Sequence, residues 1–513
     1  MTHTGVASDA ANDSPNHNST NNDSTNNDSP KHGSKNDNSR FSAGSGARLR
    51  KRMRHAGAIG AGALLLSWPA LYNGYPLLYP DSMTYLGDGR LVARALFLHQ
   101  LAEYYGMRSF IYSLGILPLH WNVTPWPVVT FQTLLTAYVL WLVTRSIVPR
   151  LRATRYLILI ILLSLLTSSS WYSSLVMPDI LGPVLYLCIY LLVFARDELS
   201  RFDHVAVFLI AWWGIASHAT HLMLAAGLCV LLTSLLVLRR PCMLGGRKAV
   251  GEVALIVLLA AAAQLALHGY LYGKPSLNGD RPPFLMARVI ADGPGRWYLE
   301  QHCGEVKFAI CDHVHNLSSD PDNFLWGADG IWQNADDDYA QRLSQEEMPF
   351  VMATLHAYPR QELAKVASAF WNQLTLFGLY DLDGSDWIVD EFDSVLPGGK
   401  RHYLRSREGR NDLPLEFFTS VQKWTTIASV VAIGALAPFV WRLKSARLAG
   451  LSCVIASTVL ANALVTGPLS MVEDRFQARV IWLVSFLAGL FALVLRDRRT
   501  TPAGSAPQTP FHH

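Results

Sequence analysis

Charge is scarce in this chain. Asp, Glu, Lys and Arg make up 16% of 513 residues, hydrophobic side chains 50%, and mean hydropathy is +0.20. That balance argues against a water-soluble enzyme. There is no glycine-rich phosphate loop of the P-loop type, so cytoplasmic ATP hydrolysis is not expected. There is no Ser-His-Asp signature, and nothing points to nucleic acid as a partner. Large apolar residues are almost missing from the first forty or so positions, which are rich in Asn, Ser, Asp and Thr. Such a stretch cannot bury enough surface to offset chain entropy, and residues 1–48 are expected to be disordered. No apolar core follows soon enough for a signal peptide.

What the chain does have is long apolar runs. Many reach about 18 residues, the length that crosses a bilayer as a helix. In lipid a backbone must satisfy its own hydrogen bonds, which favours helices. The expected fold class is therefore an all-α polytopic membrane protein with a mixed extracytoplasmic segment. About ten transmembrane helices are predicted, at 56–72, 124–146, 155–171, 179–195, 204–218, 221–238, 250–270, 422–441, 448–466 and 477–495. The pair 204–218 and 221–238 also reads as one broken helix.

Basic residues orient this layout. Arg145, Arg150, Arg152 and Arg155 fall in one set of loops with Arg239, Arg240, Arg247 and Lys248. Arg442, Lys444 and Arg447 join them, as do Arg496, Arg498 and Arg499 after the last span. These loops are expected in the cytoplasm together with both termini. An N-terminal membrane module, 49–270, then carries a first outside loop at 73–123. A large extracytoplasmic segment, 271–421, precedes C-terminal membrane helices at 422–499 and a disordered tail at 500–513. Cys303 and Cys311 lie in the large segment and are expected to pair if it sits outside the cytoplasm. Two separate thiols are the alternative.

The outside face collects the candidate chemistry. The first loop contains Asp81, Asp88, Arg90, Glu103 and Arg108, beside amphipathic stretches suited to a membrane surface. Asp88, Arg90 and Glu103 read as solvated loop charges. Asp81 follows Pro80 between Tyr79 and Tyr85, where a carboxylate is costly unless it is used or paired. Asp179, in MPD, opens a helix on the same face, where capping alone would account for it. His218 and His221 in SHATHL share a helix turn. Polar contacts with substrate or acids are preferred to zinc, for which no third ligand is identifiable. Arg475 and Arg479 in EDRFQAR are four apart, on one helix face, and their planar guanidiniums suit a phosphate. Short acidic runs at 336–338 and 381–383 read as turns.

This pattern resembles the GT-C superfamily of integral-membrane glycosyltransferases, which includes protein mannosyltransferases and the aminoarabinose transferase of lipid A. The likeness spans most of residues 50–500 as an architecture. It is carried by PDSMTYL, by RSFIYSLGILPL (similar to an Arg-Pro-x-Tyr-Pro-Leu stretch), by MPDILG and by the arginine-bearing last outside turn. Ser82 follows Asp81 where many relatives have an Asp-Glu pair. The WWDYG signature of oligosaccharyltransferases is absent, so protein N-glycosylation is not expected.

The resemblance implies a polyprenyl-phosphate-linked sugar as donor and a glycan, lipid or protein as acceptor. It implies a site facing the periplasm of a bacterial inner membrane. Asp81 is then the general base, with Arg475, Arg479 and Arg108 on the departing phosphate. Asp179, His218 and His221 position the acceptor or tune Asp81. A divalent metal is compatible with this scheme and required by nothing in it. The competing readings are a transporter or lipid flippase, an O-antigen polymerase or ligase, and an envelope-assembly scaffold.

Overall fold

The computed structural model describes residues 37–102, 108–238, 246–277 and 281–499. Residues 1–36 and 500–513, together with Glu103, Arg239 and Arg240, lie outside the described residues. The chain divides into two units, 1–53 and 54–513. Among the described residues the architecture is helical throughout, with one isolated bridge and no strand. The large segment expected to be mixed is therefore helix and turn. Among the described residues six helices are long and apolar enough to cross a bilayer, beginning at Trp126, Ala219, Gly246, Leu415, Ala446 and Asp474. This is the architecture of an all-α, multi-pass membrane protein.

The other predicted spans are helical but differ in length. The run at 56–72 divides into Asp37–Leu66 and Trp68–Asn73, with Pro69 just inside the second helix. The first of these reaches back into residues 37–48, which composition had marked as disordered. Gly44, Gly46 and three serines make this stretch a poor helix former by itself, and it continues the helix beyond it, since extending a formed helix is far easier than nucleating one. The run at 155–171 breaks at Thr167, leaving Ala153–Leu166 and Ser169–Ser174. Leu181–Phe194 has 14 residues. At about 1.5 Å per residue such a helix reaches roughly 21 Å, short of a hydrocarbon core of about 30 Å. The stretch 204–238 is two helices, Arg201–Ala216 and Ala219–Val237. Extended backbone at His218 separates them.

The loops that gathered the arginines meet through ion pairs. Arg155 pairs with Asp497 at 2.6 Å, Arg145 with Asp203 at 3.5 Å, and Arg447 with both Glu198 and Asp197. The first pair joins the helices at 153–166 and 474–499, the second those at 126–147 and 201–216, and Arg447 ties the start of the helix at 446–469 to the turn at 196–198.

The first loop folds as two helices, Pro80–Leu98 and Phe110–His120. They touch closely because position 89 is glycine. A Cβ there would lie 2.5 Å from the Ser113 carbonyl oxygen. The helical period places Asp88 on the packed face with Tyr85 and Val92, so it is buried, not the solvated loop charge expected. Arg90 is exposed, as anticipated.

The hydrophilic segment splits between two cores. Residues from Met286 to Phe350 build a small core of their own, beside a Cys303–Cys311 disulfide. Residues from Leu379 to Leu415 instead join the main core. Between them, Asp337–Ala357 gives way to Pro359–Thr375 at Tyr358, where Pro359 starts the second helix.

Candidate functional site

Two short stretches build the site in the same way. Leu77-Leu78-Tyr79-Pro80-Asp81 and Leu175-Val176-Met177-Pro178-Asp179 each end in a helix-opening Pro-Asp. A parallel bridge joins Leu77 to Leu175. The Leu77 amide donates to Ser174 O at 3.1 Å, and the Val176 amide donates to Leu77 O at 2.9 Å. Each acid lies four residues beyond its bridge residue, so one small contact brings both to the same level. Proline suits the first helical turn, where its missing N–H costs nothing.

The remaining backbone groups are satisfied in order. The Tyr79 amide donates to Ser82 Oγ at 2.9 Å, and Ser82 is fully buried. Ser82 thus closes the N-terminus of the helix that carries Asp81. The Leu78 amide donates to Glu408 Oε1 at 3.0 Å, and Asn73 Nδ2 donates to Glu408 Oε2 at 3.2 Å. Burial, above all, holds the Glu408 carboxyl well above its ordinary value. Glu408 therefore clasps residues 73–78 from the far end of the hydrophilic segment. Gln132 donates to Leu175 O at 2.8 Å and accepts from Tyr112 Oη at 2.6 Å.

The charges form two tiers. In the front tier, Arg108 Nη2 lies 2.5 Å from Asp81 Oδ1, and Arg475 Nη1 lies 3.7 Å from Asp81 Oδ2. This tier is partly open: the side chains of Arg108, Asp81 and Arg475 are 27%, 15% and 13% exposed. Arg475 also lies 4.1 Å above the Tyr79 ring, and its Nη1 has no hydrogen-bond partner among the described residues. In the rear tier, Arg479 Nη1 donates to Asp179 Oδ1 at 3.3 Å and Nη2 to Asn462 Oδ1 at 3.3 Å. Asp179 and Arg479 are each 2% exposed. The Asp179 carboxylate thus serves Arg479, and no bond from it to its own helix N-terminus is found among the described residues. Phe476 stands between the tiers, with both guanidiniums over its ring.

The histidines sit behind. Their ring centroids are 5.2 Å apart. His218 Nδ1 accepts the Thr220 amide at 3.2 Å, capping its own helix. His221 Nδ1 contacts Gly214 O at 2.9 Å, while its buried Nε2 has no partner among the described residues. A Cβ at Gly182 would lie 2.9 Å from that nitrogen. His221 is within electrostatic range of Arg479 and Asp179, and His218 of Arg479, Arg108 and Arg475. No group of three His, Cys, Asp or Glu side chains among the described residues is placed to hold a metal.

All seven predicted site residues, Asp81, Arg108, Asp179, His218, His221, Arg475 and Arg479, therefore share one region. Sequence reasoning missed Asp381. Its run was read as a turn, yet Asp381 Oδ2 accepts the Arg475 amide at 2.7 Å. The acidic run at 336–338 is a cap, as Asp336 accepts the Tyr339 amide at 2.8 Å. The repeated Leu-x-x-Pro-Asp was the available signal for pairing Asp81 with Asp179.

Glu473 adds a titratable group at the rim. Burial, then Asp381 and Asp322, push its carboxyl up to about 7. Because the folded value exceeds the unfolded one, the folded chain binds the proton more tightly. That contribution is full below the ordinary value of 4.5 and is lost as pH rises through about 7. Glu473→Gln is expected to be the more stable form at pH 8, by roughly 1 kcal/mol after allowance for solvent screening. It should be indistinguishable from the parent at pH 4. Thermal unfolding in detergent at both values checks this, and equal midpoints at pH 8 would refute it.

Comparison of the chain with family models, curated proteins and solved structures returned no match.

Proposed function

We propose that the chain is a membrane glycosyltransferase of the GT-C type, moving a sugar from a polyprenyl-phosphate donor to an acceptor outside the cytoplasm. The observation that carries this reading is the front tier: one carboxylate held by two partly exposed guanidiniums, beside an apolar helical bundle. In the resting site Arg108 and Arg475 neutralise Asp81. A donor phosphate competes for the same guanidiniums and relieves the carboxylate of its partners. Asp81 then takes the acceptor hydroxyl proton as that oxygen attacks the anomeric carbon. The bond from that carbon to the phosphate oxygen breaks, and the lipid phosphate leaves with its electron pair and charge. Arg108 and Arg475 stabilise the charge as it grows. One displacement inverts the anomeric centre.

In this proposal the rear tier, 2% exposed, supports the front one: Arg479 does not meet the phosphate itself, and Asp179 acts through Arg479. They fix the helix that presents Arg475. In this reading about ten segments cross the membrane, the shorter helices among them, and both termini are cytoplasmic. The site faces the periplasm of a bacterial inner membrane. The acceptor is an envelope glycan, lipid or protein.

The test is turnover of a panel of radiolabelled polyprenyl-phosphate sugars by the full chain in lipid nanodiscs with an envelope fraction as acceptor. Free polyprenyl phosphate and an inverted product are expected. Binding across the panel with no turnover, together with movement of the lipid between leaflets, would replace this reading with transport.

A further inference from the structure

A second basic site, built from none of the residues that surround Asp81, lies on the hydrophilic segment. Asp393, Gly398, Lys400, Arg401, Leu404 and Arg405 line an open depression of about 500 Å³. The short helix that carries Lys400 and Arg401 is firmly anchored. Tyr403 is fully buried, with its ring centroid 5.1 Å from Phe392 and 6.3 Å from Tyr75. Gly398 turns the chain into it with φ of +85°, a conformation other residues rarely adopt.

The charges around it are unequally matched. Lys400 pairs with Asp393 at 3.1 Å, and Arg407 pairs with Asp412 at 2.9 Å. The acid within the run, Glu408, is buried and turned toward Leu78. Arg401 and Arg405 are left with no ion pair among the described residues. They are exposed and four residues apart in the chain, Arg401 in the short Lys400–Tyr403 helix and Arg405 in the turn after it, with Leu404, 43% exposed, between them. Two like charges this close in the chain repel, and an anion between them relieves that repulsion.

The neighbouring surface says which anion. The Arg407 guanidinium lies 4.4 Å above the ring of Tyr72, which is 40% exposed, and Leu71 beside it is 55% exposed. Both belong to the Trp68–Asn73 helix that ends the first apolar segment. Exposed aromatic and aliphatic side chains at the end of an apolar segment mark the level of lipid headgroups. Two free arginines flanking an exposed leucine match a phosphate above the start of an acyl chain.

We propose that the Arg401–Arg405 shelf binds the phosphate of an anionic phospholipid headgroup in the membrane leaflet that it borders. A soluble polyanion has no use for Leu404, Leu71 and Tyr72. The proposal is independent of the glycosyl-transfer reading, because neither arginine belongs to the Asp81 site.

The test uses the full chain in neutral detergent with three probes: dihexanoyl phosphatidylglycerol, dihexanoyl phosphatidylcholine and inorganic phosphate. Each basic side chain near an anionic lipid contributes about a fivefold preference. Phosphatidylglycerol should therefore bind at least about tenfold more tightly than phosphatidylcholine, measured by native mass spectrometry. Arg401→Gln with Arg405→Gln should abolish that preference at unchanged helical content. Arg401→Lys with Arg405→Lys should keep most of it. Equal binding of the two lipids, an undiminished preference in the glutamine variant, or its loss in the lysine variant would each overturn the assignment. Displacement of phosphatidylglycerol by an equal concentration of inorganic phosphate would also overturn it, showing an ion site and not a lipid site.

Discussion

Asp81→Asn is expected to slow sugar transfer by roughly 10³-fold while leaving the chain folded. The amide has nearly the carboxylate's shape and can still accept from Arg108, so packing at the start of the Pro80–Leu98 helix is kept. What it cannot do is take a proton. The effect on donor binding should run the other way. Arg108 and Arg475 now face Asp81 at 2.5 and 3.7 Å, and a bound phosphate must compete with it. Removing the negative charge ends that competition. The donor KM should therefore stay level or fall while kcat collapses, the pattern of an interaction that matters to the transition state and not to ground-state binding. Arg475→Gln should differ in KM, raising it while also lowering kcat. Steady-state kinetics on the donor identified by the panel assay separate the two. Full activity in a well-folded Asp81→Asn chain would end the general-base assignment.

Much of this arrangement could be read from the chain alone, and the reasons differ from one part to another. Apolar runs are long and the cost of exposing backbone in lipid is large, so helices were legible wherever hydropathy was high. The acids and arginines were legible because charge is scarce and its rare instances clustered on one predicted face. Depth was not legible. Nothing in MPD or EDRFQAR distinguishes Asp179 and Arg479, sealed at 2% exposure, from Asp81 and Arg475, which remain partly open. That difference comes from which neighbour covers each side chain, and Asn462 and Phe476 reach the site only through helix packing. Asp381 escaped notice for a related reason. Acidic turns are common, and its contact is with a backbone amide 94 residues away. Asp88 misled because a charge after a glycine reads as loop, whereas the helix runs through it with Gly89 as its contact point.

The rear tier carries the second large effect, this time on stability. Arg479→Met leaves the Asp179 carboxylate buried without its hydrogen-bonded cation, with Arg475 still within electrostatic range, and Asp179→Leu leaves the guanidinium with only Asn462 as a hydrogen-bond partner among the described residues. Breaking a buried pair from one side costs about 3–5 kcal/mol, because the surviving charge has lost both water and partner. Each single variant should fall in that range. The double variant should not cost twice as much. With both charges gone, two apolar side chains occupy the space, and only the hydrogen bond to Asn462 is lost outright. A double-mutant cycle by thermal or denaturant unfolding in detergent should therefore give a coupling of roughly 2 kcal/mol or more. Single variants within about 0.5 kcal/mol of the parent would show that the pair holds nothing together. Activity per folded molecule then separates support from chemistry. If Arg479 acts by fixing the helix that presents Arg475, the double variant keeps measurable turnover, whereas Asp81→Asn does not regain it under any second substitution in the rear tier.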